Sequence, residues 1–289
     1  YVKFHLRRYL ENHFNPNYNI WYQYMPCPPL FVKCIIQHFV DLQFPVSNIG
    51  RPRKHSTIEC IDYIYTILRT GIQWCNLPCK GSYKTINNTF HKWNKASIFE
   101  TSYKHFLSIY IKKRKSSKPI RKHIIDTTFV KNIYGNDCLG RNPTDRGRKA
   151  SKISVITDDL GIVLALSAYP ANFNDCITLK STINNMLNPG ISTNKIIFLA
   201  DKGYDTSACR QYVTEHEYID GIYRKGKVVH NASTNDAKTG RYVVETAFAW
   251  LDLYRHIYVR YDRKIRSYIE MTLFALLCIG SNKYDTQLK

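Results

Sequence analysis

Acidic residues are scarce in this chain of 289 residues, where 22 Asp and Glu stand against 42 Lys and Arg for a formal net charge of +20 at pH 7. Such an imbalance favours a polyanionic partner, with nucleic acid ahead of an anionic membrane surface. Because most acids of a protein are solvated surface residues, a single one means little. In a chain so poor in acids, however, an acid placed directly at the end of an apolar run is a stronger candidate for function.

Long apolar runs are missing as well. The longest, Met271 to Ile279, is too short to cross a bilayer, which needs about 20 residues. No secretory signal is recognisable at the start of the sequence. We therefore expect no membrane partner, and a cytoplasmic, nucleoid-associated protein in a bacterium or a nuclear one in a eukaryote. Nothing in the pattern indicates a small-molecule substrate.

The nine cysteines form no regular disulfide framework and no CxxC pair, which is typical of a reducing compartment. Cys75 and Cys79 are spaced loosely like zinc ligands, but no second close pair completes such a site. With 44% hydrophobic and 22% charged residues the chain is globular. Its length suits one large domain or two smaller ones.

Helical spacing dominates the first part of the chain, after an uncertain segment 1–29. The predicted helices are Leu30–Leu42, a helix that ends at Thr70 and has Ser56 or Thr57 as its N-cap with Glu59 close behind, Tyr83–Trp93 and Ile98–Ile111. The second and third are joined by a turn, and the third presents Lys84, His91 and Lys92 on its polar face. This arrangement predicts either a helix-turn-helix or an ordinary helical bundle, and spacing alone does not separate them.

A basic run precedes those helices at Val46–Ser56 and carries Arg51 and Arg53. It is either a solvated loop or an arm that grips DNA, and we favour the arm. A second basic run, Lys112–Lys122, precedes a change from helical to strand-like patterns. The sequence therefore predicts a helical DNA-binding domain at 30–115 and a second domain at 116–289.

Strand and helix patterns in the second domain follow the order β-β-β-α-β-α-β-α. A hairpin followed by crossover helices predicts an α/β fold, a ribonuclease-H-like mixed sheet flanked by helices. In that layout the first strand and the strand after the first helix are neighbours. Asp126 lies in the first strand and Asp201 ends the later one, in the stretch KIIFLADKGYD, so the two acids should meet.

Asp201 has two possible roles, a reactive carboxylate at a strand end or a cap for the helix that begins near Thr206. A third acid, Glu245, lies on a predicted helix from about Arg241 to Arg255, beside its buried stripe. Three carboxylates can hold two Mg²⁺ ions about 4 Å apart and promote phosphodiester chemistry. Together the acids favour the reactive role.

Ordered blocks of the chain resemble the DDE transposases of bacterial insertion sequences, in the class named after insertion sequence five. The similar N-terminal blocks are GRPRKHS, ILRTGIQWCNLP and YKTINNTFHKW, and the similar C-terminal blocks are IIDTT, NPTDRGRKASK, PANFND, LADKGYD and RYVVETAFAWL. The likeness runs from about residue 30 to 280. The separations of the acids, 201 − 126 = 75 and 245 − 201 = 44, also suit that family.

The resemblance implies that Asp126, Asp201 and Glu245 are catalytic and bind two Mg²⁺ ions, for which Mn²⁺ can substitute. It implies a homodimer that acts on double-stranded DNA, both at the ends of a transposon and at the target. DNA cleavage and strand transfer are the expected reactions. Besides the arm and the third helix, the predicted phosphate contacts are Arg146, Arg148, Lys149, Lys152, Lys202, Arg241, Arg255 and Arg260.

The chain departs from the family pattern at a few positions. Thr246 stands where the family usually has Arg, Asp252 where a Lys or another polar residue is common, and Asn174-Asp175 where the family block usually ends in His-Asp. The first two changes remove cationic contacts to transposon-end phosphates. They favour an alternative function, a catalytically decayed or repurposed transposase that acts only as a DNA-binding protein.

Overall fold

The computed structural model describes residues 27–45, 52–188, 193–224 and 233–287, with the side chains of 233–241 and 287 left out. The first part of the described chain is helical, as predicted. Its helices are α1 (Leu30–Gln43), α2 (Thr57–Thr70), α3 (Tyr83–Lys95) and α4 (Ile98–Ser117). Helix α4 continues through the first half of the basic run Lys112–Lys122.

Local sequence signals explain both ends of α2. The Ser56 hydroxyl accepts the N–H of Glu59, and the Glu59 carboxylate accepts the N–H of Ser56 at 2.8 Å, which completes the predicted capping box. Gly71 ends the helix with φ at 68°, a left-handed conformation that favours glycine. The predicted bounds of this helix are confirmed.

One mixed sheet forms the centre of the second part. Its central strands run β4-β3-β1-β5-β6, with β3 antiparallel to β4 and β1, and with β1, β5 and β6 mutually parallel. A short strand, β2, pairs with β3, and another, β7, pairs with the end of β1. The strands are β1 (Lys122–Asn132), β2 (Gly140–Arg141), β3 (Lys149–Asp158), β4 (Val163–Pro170), β5 (Ile197–Ala200), β6 (Ile219–Ile222) and β7 (Val259–Arg260).

Helices connect and cover these strands. They are α5 (Asp175–Asn184), α6 (Ser207–Glu215), α7 (Ser233–Asp252), α8 (Arg255–Tyr258) and α9 (Ile265–Gln287). Helix α7 begins at Ser233, well before the predicted start near Arg241, because the polar stretch before it is helical too. The strand order, with antiparallel strands first and parallel ones later, confirms the predicted ribonuclease-H-like fold preceded by an all-α region.

The sheet is buried on both faces by two hydrophobic clusters. Ile125 and Phe198 belong to the cluster beneath α5 and α6, whereas Ile124 and Leu199 belong to the larger cluster on the opposite face. Alternation along the strands therefore assigns each residue of β1 and β5 to one face. Strands covered on both faces are expected where crossover helices pack on each side of a sheet.

The larger cluster extends from the sheet through α7 and α9 into the four N-terminal helices. Phe99 of α4 stacks on Phe274 of α9, with ring centroids 4.9 Å apart. Arg114 of α4 forms an ion pair of 2.6 Å with Asp159 in the β3–β4 turn. The predicted division at residue 115 stays a prediction, but the parts on its two sides share one core.

Within the described ranges, no helix combines the length and apolar character needed to cross a bilayer.

Candidate active site

The register of the parallel strands brings the two aspartates together. Lys122 to Ile124 of β1 pair with Ile197 to Leu199 of β5, so two further residues along each strand place Asp201 beside Asp126. Neighbouring strands are about 4.8 Å apart, so the two aspartates are close to each other. Both lie at the edge of the sheet where β5 has its carboxyl end. This edge is where open α/β sheets hold their reactive groups.

Each aspartate is oriented by the peptide that follows it. Thr127 N–H donates to Oδ1 of Asp126 at 2.7 Å, and Lys202 N–H donates to Oδ1 of Asp201. Asp126 is half-buried and Asp201 is exposed. Asp201 caps only the 3₁₀ turn Lys202–Tyr204 that directly follows it.

Helix α6 has its own cap, so Asp201 is not required for that purpose. The Thr206 hydroxyl accepts the N–H of Cys209 at 3.2 Å. Asp205 is also accounted for structurally, because Arg210 bridges it at 2.8 Å and binds Asp220 as well. Of the acids in KIIFLADKGYD, Asp201 is the one at the sheet edge.

Helix α7 carries Glu245 across the same face of the sheet. Val244 and Leu251 are buried in the cluster that contains Ile124 and Leu199, and α7 packs against β1, β3 and β5. Alternation from Ile124 and Leu199 assigns Asp126 and Asp201 to that face too. Glu245 adjoins the buried stripe and is exposed, as its spacing predicted. The three acids therefore share one side of the sheet.

The chemistry of these acids suits a hard divalent cation, since Mg²⁺ and Mn²⁺ prefer carboxylate oxygens. However, within residues 27–45, 52–188, 193–224 and 233–287 no three His, Cys, Asp or Glu side chains lie close enough together to hold a metal ion. The donor types thus fit a metal centre, whereas the acids are not gathered into a preformed cage.

A buried polar group near Asp126 and Asp175, the hydroxyl of Tyr204, was not anticipated from the sequence. The side chains of Thr127 and Thr178 lie close to it, without the geometry of a hydrogen bond. Burial raises the pKa of Tyr204 far above its usual value, and the negative charges of Asp175 and Asp126 raise it further. The hydroxyl therefore remains protonated.

Lys152 is corrected from a DNA contact to an internal residue. Its side chain is 5% exposed, because β3 turns it toward α5 rather than into the preceding basic loop. Its ammonium group donates to Asp175 at 2.8 Å and to the carbonyl oxygen of Phe173 at 2.7 Å. Asp175 in turn approaches the Lys202–Tyr204 turn at Gly203. In the sequence, the Lys152–Asp175 ion pair was indicated only by the PANFND block, which ends in Asp175.

Arg260 is corrected in the same way. It is 0% exposed, and its guanidinium donates to Ser151 at 2.9 Å, to the Asp137 carbonyl at 2.8 Å and to the Asp137 carboxylate. No donor is directed at solvent, where a phosphate would bind. A basic residue in a family block looks alike in sequence whether it is exposed or buried, so the sequence did not distinguish the two cases.

Other predicted DNA contacts lie on the surface. The exposed ones are Arg53, Lys84, His91, Lys92, Arg146, Arg148, Lys149, Lys202 and Arg255. Arg53 donates to the Phe44 carbonyl at 2.6 Å, and the Lys92 ammonium lies 4.3 Å from the Phe44 ring centroid, so the arm and α3 meet there. Arg51 and the side chain of Arg241 lie outside the described residues. A role for these residues in DNA binding stays a prediction.

One disulfide joins α5 to α6, which the cysteine pattern did not indicate. Cys176 and Cys209 are paired, with their Cα atoms 5.9 Å apart. Cys176 directly follows Asp175, so the bond lies beside the Lys152–Asp175 ion pair. The cysteines are far apart in sequence, and only the packing of α5 on α6 brings them together.

Two family models match this chain. "Transposase DDE domain" matches residues 117–279, and "Putative transposase of IS4/5 family" matches residues 34–102. Among curated relatives, the "Putative transposase for insertion sequence element IS402" of Burkholderia cepacia is 29% identical over 150 residues, which are 50% of this chain and 67% of the relative. The "Transposase for insertion sequence element IS1106" of Neisseria meningitidis serogroup B is 32% identical over 92 residues, 32% of this chain and 30% of the relative.

Among solved structures, the "Mos1 transposase paired-end complex with left transposon end" covers 86% of this chain and 83% of its own at 14% identity, with a TM-score of 0.27. The match to the catalytic domain of Mos1 mariner transposase covers 65% of this chain and 92% of that domain at 16% identity, also with a TM-score of 0.27. The DDE match spans more than half of the chain, and the ordered blocks agree with it. The chain therefore belongs to the DDE transposases of the IS4/5 family.

Proposed function

We propose that this protein binds the terminal inverted repeats of a transposon, cleaves the DNA at those ends and joins them to a target. The observation that carries the proposal is the parallel pairing of β1 with β5, which sets Asp126 beside Asp201 beneath the helix that bears Glu245. Three acids on one side of a sheet edge, in a chain with a net charge of +20, suit chemistry on a phosphodiester.

Asp126, Asp201 and Glu245 would hold divalent ions, either Mg²⁺ or Mn²⁺. These ions would activate the attacking oxygen and neutralise negative charge at the phosphorus. The protein's own part is to position the substrate. The backbone N–H groups of Thr127 and Lys202 fix the rotation of the two aspartates. Lys202 is exposed and directly follows Asp201 in the chain, and its ammonium group would contact a phosphate of the bound strand.

In the first step, water attacks the phosphorus at the transposon end and the 3′-oxygen leaves as a hydroxyl. In the second step, that 3′-hydroxyl attacks a phosphorus of the target DNA, the bond from this phosphorus to the target's 3′-oxygen breaks, and that oxygen leaves as a hydroxyl. Neither step needs a covalent intermediate with the protein, so alignment of the attacking and leaving oxygens supplies much of the rate. We propose a homodimer on DNA, because a transposon has two ends to be joined.

The exposed cations would bind the duplex through its phosphates. The basic loop with Arg146, Arg148 and Lys149 follows β2 and leads back into β3, beside the strand that carries Asp126. Each phosphate that the protein neutralises makes the slope of the logarithm of the binding constant against the logarithm of the salt concentration more negative by about 0.9. Binding should therefore weaken steeply with salt.

The test is a cleavage assay on DNA that carries the inverted repeats flanking the gene, with Mg²⁺ or Mn²⁺ and with chelator. Asp201→Asn should abolish cleavage while it leaves the band shift of the repeat unchanged. Glu215→Gln, which removes an exposed acid from α6, is the matched control and should cleave normally.

Cleavage by Asp201→Asn at the wild-type rate would contradict the assignment. Binding without cleavage by the wild-type protein, in either metal, would favour the alternative of a repurposed DNA-binding protein. Cleavage without a strand-transfer product would indicate a nuclease instead.

A further inference from the structure

Two exposed tyrosines form a surface that the cleavage chemistry does not use. Tyr134 follows β1 and Tyr261 follows β7, and they are 63% and 45% exposed. Their ring centroids are 6.1 Å apart and the ring planes are inclined at 53°. Because the rings are inclined, they do not stack on each other, and a face of each ring stays open to a ligand.

Both tyrosines lie on loops that the buried Arg260 holds in place. Ile133 N–H donates to the carbonyl of Arg260 at 3.0 Å, and Asn136 N–H donates to the carbonyl of Arg263 at 3.0 Å. The Arg260 guanidinium binds Asp137 in the first loop and the carbonyls of Asp262 and Arg263 in the second, both at 3.1 Å. Because the two loops are fixed to each other, little conformational entropy is lost when a ligand binds.

The charge around the tyrosines is positive. Lys131, Arg263 and Lys264 are exposed, and in the described part of the chain none of them takes part in an ion pair. The acids of these loops are engaged internally, Asp137 by Arg260 and Asp262 by His256 at 2.8 Å. A ligand at this surface therefore meets open aromatic faces beside uncompensated cations.

We propose that the tyrosine platform, defined as Tyr134 and Tyr261 with Lys131, Arg263 and Lys264, binds an unpaired stretch of a DNA strand. Bases stack on the two rings, and phosphates contact the three cations. Stacking on aromatic side chains beside a cationic track is how single strands are bound without sequence preference. A duplex covers its base faces and would gain only the phosphate contacts.

The position of the platform supports DNA rather than a second copy of the chain. The first platform residue, Lys131, lies five residues beyond Asp126 on β1, or about 17 Å away. At about 3.4 Å per nucleotide, a strand held at the aspartates would reach the platform after about five nucleotides. A symmetric contact between two copies would instead bring the same cations face to face, which is unfavourable.

The inference rests on the proposed function only in taking DNA as the substrate. The test compares a labelled single-stranded 20-mer of thymidine with a duplex of equal length, by fluorescence anisotropy at about 100 mM salt. Tyr134→Ala/Tyr261→Ala should weaken binding of the single strand by about 30-fold or more, from the loss of stacking at two rings, and that of the duplex by less than about threefold. Tyr134→Phe/Tyr261→Phe keeps the ring faces and should bind like the wild type.

A second variant tests the charge without altering the rings. Lys131→Gln/Lys264→Gln should lower the salt slope for the single strand by about 1.4, the value for two phosphate contacts. Single-strand binding is measured with chelator present, whereas the catalytic assignment is tested by cleavage in Mg²⁺ or Mn²⁺, so failure of the catalytic assignment is distinguishable from failure of the platform.

Unchanged single-strand affinity in the alanine variant would overturn the proposal, and so would an equal loss for the duplex. A dimeric mass in the wild-type protein that becomes monomeric in the alanine variant would also overturn it, since the platform would then be an interface between copies.

Discussion

Asp126 in β1 and Asp201, which directly follows β5, are at matching positions when the parallel register of the two strands is continued by two residues, and the carboxylate of each accepts the N–H of the residue that follows it. The pair is therefore held in both position and rotation by backbone groups. Strand pairing depends on main-chain hydrogen bonds and on the burial of alternate side chains. A surface substitution elsewhere should leave this pair intact, whereas a change in the register of β5 would separate it.

Lys152 should matter for stability and not for DNA affinity. Lys152→Met leaves Asp175 without its ammonium partner, and Asp175 is partly exposed, so we expect a loss of about 1–3 kcal/mol in the free energy of unfolding. In Lys152→Met/Asp175→Asn the unpaired charge is gone, and part of the loss should be recovered. Urea denaturation measures both. An unchanged stability together with a weaker band shift would restore Lys152 as a phosphate contact.

Arg260 and Arg255 form a matched pair of arginines with opposite expectations. Arg260→Met removes a fully buried guanidinium and leaves Asp137 without its partner, which should cost about 3–5 kcal/mol of stability. Arg255→Met removes an exposed charge, so its stability should stay within about 0.5 kcal/mol. The DNA affinity of Arg255→Met should fall, and the salt dependence of its binding should become weaker. Thermal unfolding and band shifts at two salt concentrations distinguish the two, and equal melting temperatures would contradict the structural role of Arg260.

Glu270 should make stability depend on pH. Burial raises the pKa of Glu270 from its ordinary value of 4.5 to about 7, while its carboxylate accepts the N–H groups of Phe99 and Glu100 at 3.2 and 3.3 Å. Between pH 4.5 and 7 the folded protein retains a proton that the unfolded chain has lost. The contribution of Glu270 to stability is therefore greatest at or below pH 4.5 and declines as the pH rises to 7.

A rise of the Glu270 pKa from 4.5 to about 7 corresponds to a decline in stability on the order of 3 kcal/mol. Glu270→Gln should lack this contribution, so the difference in unfolding free energy between wild type and variant should change across pH 4.5 to 7.5. Chemical denaturation at intervals of half a pH unit measures it. Glu215→Gln, at an exposed acid, serves as the control, and a constant difference between Glu270→Gln and wild type across this range would contradict the prediction.

The disulfide should stabilise the protein under oxidising conditions. A cross-link over 33 residues restricts the unfolded chain by about 3–4 kcal/mol in the chain-entropy treatment. Cys176→Ser should lower the melting temperature of the oxidised protein, and dithiothreitol should lower that of the wild type by a similar amount. Cys75→Ser, at an exposed free cysteine, is the control. If dithiothreitol has no effect on the wild type, the bond contributes nothing in solution.

The sequence by itself determined most of the local structure. The box of Ser56 with Glu59 and the glycine at position 71 set the bounds of α2, because caps are satisfied within a few residues. The apolar run that stops at Asp201 predicted β5, and the order of strands and helices predicted the sheet. The start of α7 was predicted too late, since polar residues at a helix start carry no periodic apolar signal.

Only the tertiary structure decided what each charged side chain does. Arg260, Lys152 and Arg255 are alike in sequence, yet the first two are buried against Asp137 and Asp175 and the third is exposed. Likewise Cys176 and Cys209 become partners only when α5 packs on α6. Whether a cation can reach a phosphate depends on desolvation and on partners from distant parts of the chain, and these exist only once the sheet and its helices have assembled.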